Sequence, residues 1–441
     1  MKCLIIAAGR GSRLASKGGS KPLVSLLGLT LIERAILTAK KGGVYDFYVV
    51  TGYEGEKVRH YLDKLSQNTN TNITHIINDE WEKGNGISVL KAKELLKEPF
   101  ILLMADHLFD SSILEGLKKE QISEGEIILA VDSNIESNQF VDIDDVTKVL
   151  VKNGKIAAIG KNISNYNAYD TGIFLCSPTL FDAIGDSYSS TGDSSLSGGI
   201  GIISGKGNAK TFDIQHKYWI DVDDENAFSK AENLLISNLK KTSDGPVSRY
   251  LNRPLSIRLT RLLLNTKITP NHISILSFIL GVLGAGFFCM GGYINLIIGG
   301  ALAQLASIVD GCDGEIARLK FKASEFGGWF DAVLDRYGDA FLLFGLIYHV
   351  YLTDNRFLFI IIGFCAIIGT FMNSYTADKY DGLMQRKLKP GMQYFRIGRD
   401  VRTFIIFIGV LINQPLALLI LIAVMTNVEN VRRVIVLFKN G

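Results

Sequence analysis

The sequence predicts two domains of different class: an α/β domain on a parallel sheet over residues 1–240, and an all-α integral membrane domain of six transmembrane helices over 269–441, joined by residues 241–268. Three observations predict it. Short β-like runs alternate with helical patterns up to about residue 235, charge-free apolar runs dominate beyond residue 273, and charge divides unequally between the two parts. The 441-residue chain carries a formal +3, but residues 1–245 hold 27 Lys and Arg against 32 Asp and Glu, whereas 246–441 hold 20 against 12. With 47% hydrophobic and 21% charged residues, a disordered, collagen-like or disulfide-dense chain is excluded. The five cysteines form no CxxC pair and are odd in number, which speaks against a disulfide framework or a zinc site.

In the first part, Cys3–Ala7, Phe47–Val50, Phe100–Met104, Ile127–Val131 and Gly172–Leu175 read as strands. Helical patterns such as Leu31–Lys41 and Gly86–Leu96 separate them, and strands alternating with helices imply a parallel sheet covered on both faces. The apolar start, Met1–Ala8, is too short for a signal peptide and reads as the first strand. Ligands on such sheets lie beyond the carboxyl ends of the strands.

Before the apolar half, Leu255, Leu259, Leu262 and Leu263 recur at helical spacing beside Arg253, Arg258 and Arg261, with Pro254 placed to start the helix. This reads as a basic amphipathic helix at a membrane surface, the alternative being a plain linker helix. Residues 273–309 contain no charged side chain, and one span needs about 20 residues, so two spans fit with a turn near Gly291 and Gly292. A third span begins near Phe330 and ends at Leu352. Further charge-free runs cover 357–377 and 403–428, the last interrupted at Asn413-Gln414-Pro415, which raises the count to six. Basic residues sit where cytoplasmic connections are expected, at Arg318, Lys320 and Lys322, from Lys379 to Arg402, and at Arg432, Arg433 and Lys439. That pattern predicts a multi-pass protein of the cell membrane with its N-terminal domain on the cytoplasmic side.

The first strand runs into Ala7-Ala8-Gly9-Arg10-Gly11-Ser12-Arg13, followed by Lys21-Pro22. Glycines let backbone N–H groups approach a phosphate chain, and Arg13 and Lys21 can neutralise it. With Thr51-Gly52-Tyr53, Asp106 after an apolar strand, Asp170-Thr171-Gly172 and Trp219-Ile220-Asp221-Val222-Asp223, residues 1–235 resemble the sugar-phosphate nucleotidyltransferases. The resemblance implies an α/β Rossmann-like nucleotidyltransferase domain. It also implies Mg²⁺ on Asp106 and Asp221, Lys21 and Arg13 on the phosphates, and nucleotide contacts from Ala8, Gly9 and Gly11. Lys161, a looser match to the family's Glu-Lys-Pro, is expected at the substrate phosphate. Glu82-Lys83-Gly84-Asn85-Gly86 resembles a segment of the cytidylyltransferases, which makes Asn85 a candidate nucleotide contact.

In the second part, Asp310, Asp313, Asp331 and Asp335 fall at the ends of expected spans. Each charge at such depth costs about 2.5–3.5 kcal/mol, so four acids call for bound cations. Spacings of three and four residues put each pair on one helix face, and two facing helices would gather four carboxylates, enough for two divalent ions. The string Asp310-x-x-Asp313-Gly314-x-x-Ala317-Arg318, then Gly327, Asp331 and Asp335, matches the signature of the CDP-alcohol phosphotransferases. The resemblance implies metal on the aspartates, Mg²⁺ or alternatively Mn²⁺, and Asp335 as base on the acceptor hydroxyl. Gly314, Ala317 and Gly327 would leave room for the nucleotide, and Arg318 would meet its phosphate. Arg396, Arg399 and Arg402 are expected at the acceptor's phosphate, the alternative being positive-inside decoration.

Together the two parts resemble the fused inositol-1-phosphate cytidylyltransferases and di-myo-inositol phosphate phosphate synthases. That implies CTP, inositol 1-phosphate and the shared intermediate CDP-inositol as partners, with the lipid bilayer and without nucleic acid. A homodimer, where one forms, is expected through the membrane domain. Two rivals remain open: a phospholipid head-group enzyme carrying an idle N-terminal cap, and a nucleotide-sensing or scaffolding N-terminal module.

Overall fold

A computed structural model describes residues 1–136, 138, 141–240, 244–387 and 398–440. It contains two compact units, Met1–Leu235 and Ile236–Gly441.

The first unit is built on a nine-stranded sheet. Lys2–Ala7 is third from one edge, parallel to Asp46–Thr51 on one side and to Phe100–Met104 on the other, and Asn72–Ile77 forms that edge in the same direction. The expectation of a wholly parallel sheet is corrected here: Ala168–Cys176 runs antiparallel to both Phe100–Met104 and Ile127–Asp132. Nine consecutive residues of that strand are almost all buried, so its apolar run carries no directional signal. Strand direction depends on which side the chain returns from, and here it returns through a hairpin, Lys148–Lys152 with Lys155–Gly160, turned at Asn153-Gly154. The Asn-Gly pair was the available sequence cue.

Apolar clusters cover both faces of the sheet. One gathers Ile5, Phe47, Leu103 and Ile113, the other Leu4, Phe100, Leu129 and Phe181. Helix Leu31–Lys41 has the expected bounds; Thr30 caps it by accepting a hydrogen bond from the Glu33 N–H. The second expected helix is shorter, Asn85–Leu90, and continues as turns through Leu95. A small separate ladder pairs His107–Phe109 with Trp219–Asp221 and sets Asp221 directly opposite His107.

The second unit is helical. Pro270–Cys289, Tyr293–Leu319, Glu325–Thr353, Phe357–Lys387, Arg399–Leu411 and Pro415–Asn440 are its long helices among the described residues. Among the described residues, three segments are long and apolar enough to cross a membrane: Pro270–Cys289, Tyr293–Leu319 and Phe357–Ala377. Thr269 opens the first with a capping box. Close contact between the first two helices depends on small residues: a Cβ on Gly284 would lie 2.8 Å from the Gly299 carbonyl oxygen.

Helix Arg253–Leu263 is amphipathic in an inverted sense. Its buried face is polar, with Arg253, Ser256 and Thr260, while Leu255 and Leu262 face outward. The polar face meets Glu315, which is fully buried. Glu315 accepts hydrogen bonds from Arg253 Nη1 (2.8 Å), Ser256 (2.6 Å) and Thr260 (2.7 Å), and Arg253 also forks onto Asp244. Removing one partner of a buried pair costs about 3–5 kcal/mol. Glu315→Ala is therefore expected to lower the melting temperature in detergent clearly more than Glu315→Gln, which keeps acceptor and donor capacity at that point.

Candidate functional site

In the first unit, the glycine loop leaves the carboxyl end of strand Lys2–Ala7 and turns beneath Lys21. Gly11 has φ +63, and a Cβ there would stand 2.3 Å from the Lys21 Cβ. A side chain at this position meets both a left-handed backbone and a filled space. Gly11→Ala is expected to cost about 1–3 kcal/mol by the overpacking alone, read as a lower melting temperature, and to slow nucleotide transfer by displacing Lys21. Ala8 is buried and its carbonyl accepts the Tyr53 N–H, which anchors the loop to the next strand end.

The Lys21 ammonium pairs with Asp106 and Asp223 and stands 3.9 Å from Asp221. Burial works against its charge, but the three carboxylates outweigh burial and hold it protonated. Arg13 bridges Asp145 (2.6 Å) and Asp223 (2.8 Å), and Lys161 reaches Asp145 at 2.5 Å. Its two cations draw the Asp145 carboxyl down to about 2. Asp223 goes the other way, to about 6, because burial and the neighbouring Asp221 charge disfavour ionisation.

His107 lies between Asp221 (3.4 Å) and Asp106 (3.7 Å). Burial opposes its protonation, yet Asp221 and Asp106 prevail and raise it to about 10 in this arrangement. Asp221 is correspondingly held well below the usual carboxylate range by His107 and Lys21 in spite of desolvation.

A cavity of about 240 Å³ is lined by Arg13, Asn85, His107, Lys161, Asp170 and Asp221. Lys21 joins this group through its ion pairs with Asp223 and Asp221, and Asp106 through Lys21 and His107. The structure thus brings Arg13, Lys21, Asp106, Asp221 and Lys161 together. Asn85 also borders the cavity, with its side-chain oxygen engaged by the Leu196 N–H at 2.9 Å. Asp106, His107 and Asp221 each offer one ligand atom, all within 4.8 Å of one another. Among the described residues the buried Asp221 Oδ1 atom has no hydrogen-bond partner, which fits a donor set for a divalent cation. Reading the sequence missed His107, Asp145 and Asp223 as site residues. For Asp223, the cue was its place two residues after Asp221; Asp145 comes from a distant loop with no local signal.

In the second unit, the second and third long helices put Asp310, Asp331 and Asp335 into one cluster, again within 4.8 Å. Asp313 is beside it and accepts a hydrogen bond from Ser274 at 2.6 Å, and Ser277 donates to Asp310 at 3.2 Å. Arg399 reaches Asp335, Asp310 (3.2 Å) and Asp339 (3.2 Å), and Arg402 pairs with Asp339 at 2.7 Å. Asp339, one turn beyond Asp335, was not singled out by sequence, although its spacing of four residues put it on the same face. Asp331 Oδ1 is buried without a hydrogen-bond partner among the described residues, which fits a cation at this cluster too.

A Cβ on Gly314 would stand 3.2 Å from the Arg318 guanidinium. Arg318 donates to the Leu239 carbonyl at 3.2 Å, and its buried Nε has no hydrogen-bond partner among the described residues. Ala317 follows one turn along the same helix, and Gly327 donates its N–H to the Ser324 hydroxyl at the start of the third. Arg396 lies outside the described residues.

A phosphate-loop α/β unit with a lysine-bound carboxylate cluster, followed by a helical unit with facing aspartates, defines a transferase with two separate sites. A family model described as MobA-like NTP transferase domain matches residues 3–159, and one described as CDP-alcohol phosphatidyltransferase matches residues 267–429. Over 440 residues the chain is 34% identical to the bifunctional IPC transferase and DIPP synthase of Rubrobacter xylanophilus, covering 98% of this chain and 95% of that one. It is 32% identical over 434 residues to the protein of the same name from Thermococcus kodakarensis, covering 97% and 94%. The chain belongs to the family of bifunctional IPC transferases and DIPP synthases. Among solved structures, the inositol-1-phosphate CTP transferase from T. maritima aligns with 53% of this chain and 94% of that chain, at 26% identity and a TM-score of 0.47.

Proposed function

We propose that this chain carries out two consecutive transfers: CTP and inositol 1-phosphate give CDP-inositol and pyrophosphate, and CDP-inositol with a second inositol 1-phosphate gives di-myo-inositol phosphate phosphate and CMP. The observation that carries this reading is that each unit assembles its own carboxylate cluster with its own cations, so neither site is degenerate. A regulatory cap or scaffold would have no need of Arg13, Lys21, Asp106 and Asp221 in one constellation.

In the first reaction, a phosphate oxygen of inositol 1-phosphate bonds to the α-phosphorus of CTP as the bond to the β-phosphate breaks. Such a step needs alignment and charge neutralisation more than a strong base. Ala8, Gly9 and Gly11 present backbone to the triphosphate, Lys21 and Arg13 neutralise it, Asn85 borders the nucleotide and Lys161 meets the substrate phosphate. Asp106 and Asp221 would hold Mg²⁺, whose chemistry here is to bind phosphate oxygens and offset their charge.

In the second reaction, Asp335 takes the proton of the acceptor hydroxyl, and that oxygen attacks the phosphorus bearing the inositol, with CMP leaving. Asp310, Asp313 and Asp331, with Asp335, would hold the metal, Mg²⁺ or Mn²⁺. Gly314, Ala317 and Gly327 leave room for the nucleotide and Arg318 meets its phosphate. Arg399 and Arg402, with Arg396 from the preceding segment, receive the acceptor's phosphate.

On this reading residues 1–240 form the cytosolic nucleotidyltransferase domain and 241–268 a linker with a juxtamembrane helix whose outward leucines lie in the bilayer surface. Residues 269–441 form a six-span, multi-pass membrane domain, able to dimerise, with both sites on the cytoplasmic side. The reading is tested by incubating the purified protein with each nucleoside triphosphate and a panel of polyol phosphates. Pyrophosphate release specific to CTP and inositol 1-phosphate, followed by CMP release, is the expected result. CMP release only from a supplied CDP-lipid would replace it with the head-group reading.

A further inference from the structure

We infer that His107 is a third protein ligand of the N-terminal metal centre, and that it shifts the centre's preference from Mg²⁺ toward a first-row transition ion such as Mn²⁺, which accepts an imidazole nitrogen more readily. The inference rests on the reading that Asp106 and Asp221 hold the cation. Four observations carry it.

The first is the tautomer. His107 Nδ1 is 2.7 Å from the Thr171 carbonyl oxygen, so Nδ1 donates a proton to it whether the ring is charged or neutral, and Nε2 is the nitrogen that a cation would take in place of its proton. A backbone carbonyl on one ring nitrogen is the usual device that leaves the other to a metal. Second, Nε2 stands 3.4 Å from Asp221 Oδ2 and 3.7 Å from Asp106 Oδ1. Two bonds of about 2.1 Å meeting at 90–120° separate their ligand atoms by about 3.0–3.6 Å, so one ion can reach all three with small side-chain adjustments.

The third observation is that the fold reserves the ring's place. Gly172 has φ +71, and a Cβ there would stand 2.4 Å from both His107 Cε1 and Nδ1. The sheet register holds the backbone as well, since His107 and Asp221 are directly paired across their ladder. The fourth is the other carboxylate oxygen of Asp221, Oδ1, which is buried, stands 3.9 Å from the Lys21 ammonium and has no hydrogen-bond partner among the described residues. An imidazole among carboxylates suits transition ions, whereas Mg²⁺ favours oxygen throughout. The membrane cluster, Asp310, Asp331 and Asp335, is all oxygen.

The full-length protein in detergent, loaded with Mn²⁺ before any CTP is added, provides the test. Electron spin echo envelope modulation is expected to show coupling to one imidazole ¹⁴N, replaced by ¹⁵N coupling when only histidine is ¹⁵N-labelled. The labelling arm needs no substitution and so does not depend on a variant folding. His107→Gln is expected to abolish the coupling and to weaken Mn²⁺ at this centre by about 10-fold or more, with a smaller effect on Mg²⁺. Mn²⁺ that is lost on Asp106→Asn but shows no imidazole coupling would overturn the role of His107 and leave the carboxylate site standing. Coupling that persists in His107→Gln would assign the signal to another histidine and overturn it too. Mn²⁺ binding indifferent to both Asp106→Asn and Asp221→Asn would overturn the carboxylate reading itself.

Discussion

Asp106→Ala is expected to abolish CDP-inositol formation, by about 10³-fold or more, while supplied CDP-inositol is still converted at the unsubstituted rate. Removing a single preorganised charge-stabilising group from an active site costs about 10²–10³ in rate, and Asp106 would both hold the metal and orient Lys21. The separation between reactions follows from the architecture. Asp106 lies in the unit Met1–Leu235, and the aspartates of the second reaction lie in Ile236–Gly441. The measurement is pyrophosphate release from CTP and inositol 1-phosphate beside CMP release from CDP-inositol. Unchanged pyrophosphate release would refute the N-terminal site as described.

Asp335→Ala is expected to give the reverse: normal CDP-inositol formation, which then accumulates, and loss of the second transfer. Positioned general bases contribute about 10²–10⁴-fold, and Asp335 would also serve the metal, so the upper end of that range applies. The third helix should remain seated, because Arg399 keeps Asp310 and Asp339, and Arg402 keeps Asp339. A melting temperature near that of the unsubstituted protein alongside lost CMP release would therefore place the defect in the chemistry. Continued CMP release at the normal rate would remove Asp335 from the role of base.

Several site residues were legible before any coordinates because their chemistry constrains spacing within one segment. Asp310 and Asp313 are a helix turn apart, as are Asp331 and Asp335, so periodicity alone put each pair on one face. The loop from Ala7 to Arg13 and the nearby Lys21 were legible for the same reason. Asp145 was not: it meets Arg13 and Lys161 from a loop far away in sequence, and nothing around it signals a partner. His107 was passed over although it adjoins Asp106, because a histidine beside a strand end is neutral until the ladder sets it opposite Asp221. Asp339 pairs with arginines more than fifty residues away, and the sheet reads as parallel because buried apolar strands look alike in either direction.

The amino-acid sequence by itself determined the division into an α/β part and an apolar helical part, the glycine loop followed by Lys21, and the pairing of aspartates along single helix faces. These are local or compositional properties, set by side-chain periodicity and by the cost of charge in an apolar run. Tertiary structure decided which carboxylates share a cation, which arginine answers Asp335, and that the amphipathic helix turns its polar face inward to the fully buried Glu315. Those choices join residues tens to hundreds of positions apart. They follow from how strands and helices are seated against one another, where burying a charge is tolerated only with its partner in place.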